Sequence, residues 1–240
     1  MSSQRSGIAL GCVLVLVATA GCLGALTGTE PLSFSANETV VTESALDDTG
    51  YAHVDNQTIN NTVTVSVQGQ ERDVRVTSHF NFYNRSVDPS EFDRNASELS
   101  ENASMGPDVG AQFAVLSTPA ASVGGVSANP LSSLPTEELV RRFFERARDA
   151  QGADEGNATR DLTLTLVDNR TVASLDAERT VSTYLVETDD ASAPDAGSGL
   201  VHVATFQREG DLIVVVAAHP SMLDEAAQID RLLGGLERKT

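Results

Sequence analysis

Apolar and polar residues alternate most clearly in the first third of the chain, where Val63, Val65 and Val67 interleave with Thr62, Thr64 and Ser66. After Gly69 the alternation resumes, with Val74, Val76, Phe80 and Phe82 set against Arg75, Thr77, His79 and Asn81. A period of two sends successive side chains to opposite faces, so this stretch predicts a hairpin with one apolar and one polar face. Upstream, Leu32 and Phe34 alternate with Ser33 and Ser35 as a short strand would, and Val40 to Thr49 predicts a short helix ending at Gly50. Ser86 to Pro107 is polar and carries two prolines, which predicts a long loop with a brief helix around Glu98. Phe113 to Leu116 begins another strand, limited by Pro119.

Pro130 and Pro135 bracket a turn. Thr136 can then cap a helix whose first turn carries Glu137 and Glu138, matching the positive end of the helix dipole. Leu139, Val140, Phe143, Ala147 and Ala150 follow at helical spacing. Leu162, Leu164 and Leu166 alternate with Thr163, Thr165 and Val167, and Thr180 to Glu187 reads as the next strand. After a polar loop from Thr188 to Gly199, Leu200 to Phe206 and Leu212 to Ala218 predict a hairpin around Gly210 and Asp211. Ser221 and Asp224 form an S-x-x-D start for a final helix with Met222, Ala226, Ile229, Leu233 and Leu236 along one face. Two hairpin-bearing halves that each trail a helix predict the α+β class, an antiparallel sheet built from hairpins with helices packed on it.

The first residues follow a different pattern. A polar start with Arg5 leads into an apolar run from Ile8 to Ala20, closed by small residues and Cys22. The run falls short of the roughly 20 apolar residues that span a bilayer, and its layout is that of a cleavable secretion signal. Thr19, Ala20, Gly21 and Cys22 resemble a lipoprotein box, with Thr19 where leucine is usual. This predicts a signal peptide over 1–21, a lipid-anchored tether over 22–31 and a single domain over 32–240. An uncleaved anchor with an incidental cysteine is the alternative, and both export the rest. Cys12 leaves with the signal, so the domain has no disulfide framework and depends on its core.

Charge narrows the setting. Against 16 basic residues stand 34 acidic ones, a formal net charge of −18, and Lys239 is the only lysine. Such a chain repels nucleic acid. Disorder is excluded as the cause, because 40% of residues are hydrophobic and fall in periodic segments. High salt accounts for it better, since at molar ionic strength the screening length shrinks to about 3 Å. Of 11 asparagines, eight lie in Asn-x-Ser/Thr sequons: Asn37, Asn56, Asn60, Asn84, Asn95, Asn102, Asn157 and Asn169. About two would fall so by chance, and such sequons mark surface segments of exported proteins.

Several short motifs, Thr49-Gly50-Tyr51, Ser117-Thr118-Pro119, Asn129-Pro130 and His219-Pro220, together resemble a family of haloarchaeal surface lipoproteins defined as a domain of unknown function. The resemblance implies an exported, membrane-tethered protein and carries no activity. The element order also resembles the fold of the photosystem oxygen-evolving subunit P and its bacterial lipoprotein relatives.

Candidate chemistry is sparse. Gly125, Ser127 and Asn129 form a G-x-S-x-G pattern that fails at its last glycine, which the strained nucleophile turn requires. His53, His79, His202 and His219 are far apart in sequence and lack the spacing that sets two zinc ligands on one face, so no metal is expected. His219 is expected to satisfy backbone groups at the end of its strand. Arg141, Arg142, Arg146 and Arg148 read as a solvated helix face, and Asp189, Asp190 and Asp195 miss the spacing of a calcium loop. No phosphate loop or dinucleotide fingerprint is present, and no cofactor is expected. The sequence therefore predicts a non-enzymatic lipoprotein on the outer face of the cell membrane. Its partners would be the membrane, through lipid on Cys22, and an envelope protein or small ligand. An envelope hydrolase with a site assembled from scattered residues is the competing class.

Overall fold

A computed structural model describes residues 31–67, 69–87, 110–150, 162–188 and 199–239. Strand β1 (Leu32–Ser35) and strand β2 (Thr39–Val41) precede helix α1 (Glu43–Thr49). Strands β3 (Ala52–Val67), β4 (Gln70–Ser86) and β5 (Gly110–Pro119) follow. A two-rung hairpin, β6 (Ser122–Val123) and β7 (Val126–Ser127), leads through a 3-10 turn (Pro130–Ser133) to helix α2 (Thr136–Ala150). The second half comprises β8 (Leu162–Ser174), β9 (Ala177–Thr188), β10 (Gly199–Arg208), β11 (Asp211–Pro220), helix α3 (Ala226–Gly234) and β12 (Leu236–Arg238).

Sheet dominates. Eight strands form one sheet whose outermost members are β3 and β8, in the order β3, β4, then β1 and β5 sharing one flank of β4, then β11, β10, β9 and β8. The expected antiparallel hairpins are present, but β1 pairs with β4 in parallel, Leu32 beside Val74, so the sheet is mixed. The expected helix over 40–49 begins only at Glu43. Residues 39–41 instead pair with β12 to close the chain's last strand onto its beginning. Nothing local in Thr39-Val40-Val41 reveals that partner, which lies almost 200 residues on. The final helix also starts later than Ser221 suggests. Residues 221–225 form the turn off β11, where the Leu223 N–H donates to the Pro220 carbonyl at 3.1 Å, and Leu236 belongs to β12.

Layers form on both faces because β11, the central strand, is apolar on both. Ile213, Val215 and Ala217 meet Ile229, Leu232 and Leu233 of α3, with Tyr51, Tyr83 and Phe113 filling the same layer. Leu212, Val214 and Val216 face Leu139 and Val140 of α2. A third cluster, Val65, Val74, Val76, Ala121 and Ala128, lies under the β6–β7 hairpin.

The two ends of the sheet differ. At one end the β8–β9 and β10–β11 hairpins close through two-residue turns, Leu175-Asp176 and Glu209-Gly210, all four residues at positive φ. That is the twist-matched turn for adjacent strands. Gly69 turns β3 into β4 at this end, and β1 enters there. At the opposite end lie Ser86, Gly110, Leu162, Thr188, Gly199 and Pro220, the strand ends to which residues 88–109, 151–161 and 189–198 connect.

Candidate functional site

Two buried polar clusters occupy the α3 side of the sheet. The first spans four adjacent strands. The β10–β11 register pairs Leu200 with His219 and His202 with Ala217, so the two histidines are diagonal neighbours on one face. Their Nε2 atoms lie 2.8 Å apart. His219 Nδ1 is 2.9 Å from the Pro220 carbonyl, to which it can only donate, so its Nε2 accepts and His202 Nε2–H donates. His202 Nδ1 is then an acceptor, filled by the Thr183 hydroxyl at 2.9 Å and an Arg170 N–H at 3.0 Å. Arg170 also donates to Thr183 Oγ1 at 3.1 Å and pairs with Asp230 of α3 at 2.8 Å. The ring planes differ by 13° and the centroids are 5.0 Å apart, which suits two rings joined edge to edge through that bond rather than overlapping faces.

The bonds between the histidines, Thr183 and Arg170 form with both imidazoles neutral, while Arg170 Nη2 is buried without a hydrogen-bond partner among the described residues. Burial pushes His202 down to about 3, helped by His219 and by the Arg170 charge. His219 is also lowered, by burial first, against the raising influence of its bond to Pro220 and of Glu225 and Asp224. Thr183 and His202 have the spacing of a nucleophile and its base. However, Thr183, His202 and His219 are each 5% exposed or less, and His202 Nδ1 is already shared between two donors. The arrangement holds strands together and keeps protons in fixed places.

The second cluster ties α3 to the first half of the chain. Glu225, fully buried at the foot of α3, accepts the Tyr51 hydroxyl on Oε2 at 2.9 Å and pairs through Oε1 with the Arg85 guanidinium. Burial and the adjacent carboxylate push the Tyr51 hydroxyl well above its ordinary value, so it stays a donor.

Other candidates fall out as follows. Ser127 Oγ donates to the Asn129 carbonyl at 2.9 Å and lies 2.8 Å from Ser132 Oγ; among the described residues no histidine is hydrogen-bonded to it. Asn129 staples the loop to β5: its Nδ2 donates to Thr118 Oγ1 at 3.1 Å and to the Pro119 carbonyl at 2.8 Å, and its Oδ1 accepts from Leu131 N–H. His53 is 3.4 Å from Asn81 Oδ1, and His79 faces Thr58 across the strands at 3.5 Å. Arg142 pairs with Glu138 on an open helix face, and Arg141 is exposed. The Arg146 and Arg148 side chains, Asp189, Asp190, Asp195 and Cys22 lie outside the described residues. So do Asn95, Asn102 and Asn157. The five described sequon asparagines, Asn37, Asn56, Asn60, Asn84 and Asn169, are all exposed; of the three described asparagines outside any sequon, Asn81 and Asn129 are buried and Asn61 is exposed. Among the described residues no group of three or more His, Cys, Asp or Glu is placed to hold a metal. No described helix is long and apolar enough to cross a membrane.

A family model described as a domain of unknown function, DUF6517, matches residues 38–237. The chain belongs to that family. No curated protein matches it. The matched span of the DUF6517 domain runs from just before β2 to within β12, so it takes in the strand pair that closes the fold and both buried polar clusters. The motifs singled out in the sequence are structural junctions here. Thr49 donates to the Ala45 carbonyl at 2.6 Å, Gly50 ends α1 at φ 72, Tyr51 meets Glu225, Thr118 and Asn129 bond to each other, and His219 joins His202. Sequence reasoning missed Arg85, Arg170, Thr183 and Glu225, single polar residues in apolar or mixed stretches whose partners come from other strands.

Proposed function

We propose that this DUF6517 protein is exported and held by lipid on Cys22 to the outer face of the membrane of a salt-adapted archaeon, where its domain serves as a binding module of the cell envelope. The observation that carries this is the Thr19-Ala20-Gly21-Cys22 box after a short apolar run, with only nine residues between Cys22 and Leu32, where β1 opens. Two acyl chains on that cysteine would give stable attachment where one would not. Exposure of every described sequon asparagine supports export.

The tether joins the tight-turn end of the sheet. At most about 3.5 Å per residue of reach keeps that end near the lipid. The opposite end, where the longest connections attach, then faces outward, and connections on a rigid scaffold are where recognition concentrates. The hydrolase reading gains little from Thr183 and His202, since both are enclosed and already bonded.

The test is fractionation of cells producing the full chain or Cys22→Ser. The wild type should stay with membranes, need detergent for release and be digested by protease added to intact cells. The variant should appear in the medium or persist as a longer precursor. A variant processed and retained like the wild type contradicts the proposal.

A further inference from the structure

Among the described residues the sheet has two edges without a strand partner, β3 along sixteen residues and β8 along thirteen. Unpaired strand edges invite another strand, and proteins commonly guard them with lysine or proline. Neither edge has one: β3 carries only His53 and Asp55 as ionisable residues, and β8 only Asp168 and Arg170. Each edge has one register shift, between His53 and Asp55 and between Leu166 and Asp168. Three of the four exposed large apolar residues among the described ones sit at these shifts, Val54 at 51%, Leu166 at 50% and Val167 at 51%. By apolar surface and backbone, both edges are sites for self-association.

A sequon stands beside each shift. Asn56 and Asn60 follow Val54 on β3, and Asn169 follows Val167 on β8. Two of these asparagines are held in one orientation by the residue directly opposite. Asn60 Oδ1 accepts from Thr77 Oγ1 at 2.8 Å, and Asn169 Oδ1 accepts from Ser182 Oγ at 2.7 Å. The branch not used in that bond is Nδ2, the atom an N-glycan joins. We infer that Asn60 and Asn169 are glycosylated and that the two glycans, with a third on Asn56, close the sheet edges against strand addition by a second copy. In the reaction, Nδ2 loses a proton and bonds to the anomeric carbon of a lipid-phosphate-linked oligosaccharide. The carbon–oxygen bond to phosphate breaks, and the lipid phosphate leaves.

The inference rests on the export reading, and one experiment separates the two. The full chain is made in an archaeal host with active N-glycosylation, extracted in detergent and mapped by peptide mass. Its molar mass is measured by light scattering with the detergent contribution subtracted. Two variants accompany it: Asn56→Gln/Asn60→Gln/Asn169→Gln, and Thr58→Ala/Thr62→Ala/Thr171→Ala, which removes the sequons but keeps the amides. Expected are glycan masses on Asn60 and Asn169, a monomeric wild type, and at least a doubling of molar mass in both variants with circular dichroism unchanged. Bare Asn60 and Asn169 on a chain with lipidated Cys22 overturn the inference and leave export standing, as do two monomeric variants. Bare asparagines on a chain that keeps Met1 to Gly21 without lipid overturn the lipid anchor and the inference together, although an uncleaved anchor would still export the domain.

Discussion

His202 and His219 make the domain's stability depend on protons. Both are neutral when folded, and His202 titrates near 3 instead of the ordinary 6.5. A lowered folded value means that the unfolded chain binds protons first as pH falls. The contribution is therefore complete above about pH 6.5 and declines below it, by about 1.4 kcal/mol per pH unit for His202 down to its folded value. Between pH 7.5 and 5.0, His202→Gln should lose about 2 kcal/mol less than the wild type in urea unfolding; matching losses would contradict the network. Glu225→Ala should cost about 3 kcal/mol, because it removes a fully buried carboxylate from its bonds to Tyr51 and the part-buried Arg85 guanidinium. Tyr51→Phe should cost about 1–2 kcal/mol, and the double variant less than the sum, since both changes remove the same bond. The histidine pair was legible in part: the hairpin expected around Gly210 and Asp211 brings residues 202 and 219 directly opposite each other, whereas the observed turn at residues 209–210 makes them diagonal neighbours. Glu225 was not, because nothing near it in sequence announces Arg85 or Tyr51.

Among the elements, those defined by local periodicity were readable and those defined by distant partners were not. The Val63 to Val67 alternation, the apolar run of β11 and the 136–150 helix each follow from neighbours in sequence. The parallel β1–β4 pair and the β2–β12 pair do not: β1 is expected as a strand but nothing local names its partner, and the three residues of β2 carry too little pattern to outweigh a helix expectation. Gly235, just past α3, lets that helix end against α1. A methyl group there would approach Ala45 Cβ to 2.3 Å, while its φ of −90 tolerates alanine. Gly235→Ala should therefore destabilise by about 2 kcal/mol, and Ala45→Gly in the same chain should recover much of that in thermal unfolding. Equal Tm values for Gly235→Ala and the wild type would show that the contact is not tight.

For the whole molecule, a net charge of −18 sets a repulsion that salt must screen. Stability should rise between 0.1 M and molar potassium chloride, as the screening length falls from about 10 Å to about 3 Å, and each 1 kcal/mol gained should appear as about 2–4 °C in Tm. A salt-independent Tm would remove the high-salt account of the composition. The claim on which the rest depends is the anchor, and intact mass of the membrane-extracted protein tests it most directly, with mapping of the N-terminal peptide. A chain that begins at Cys22 and carries two acyl chains is the predicted result. A chain that retains Met1 to Gly21 with an unmodified Cys22 would contradict it.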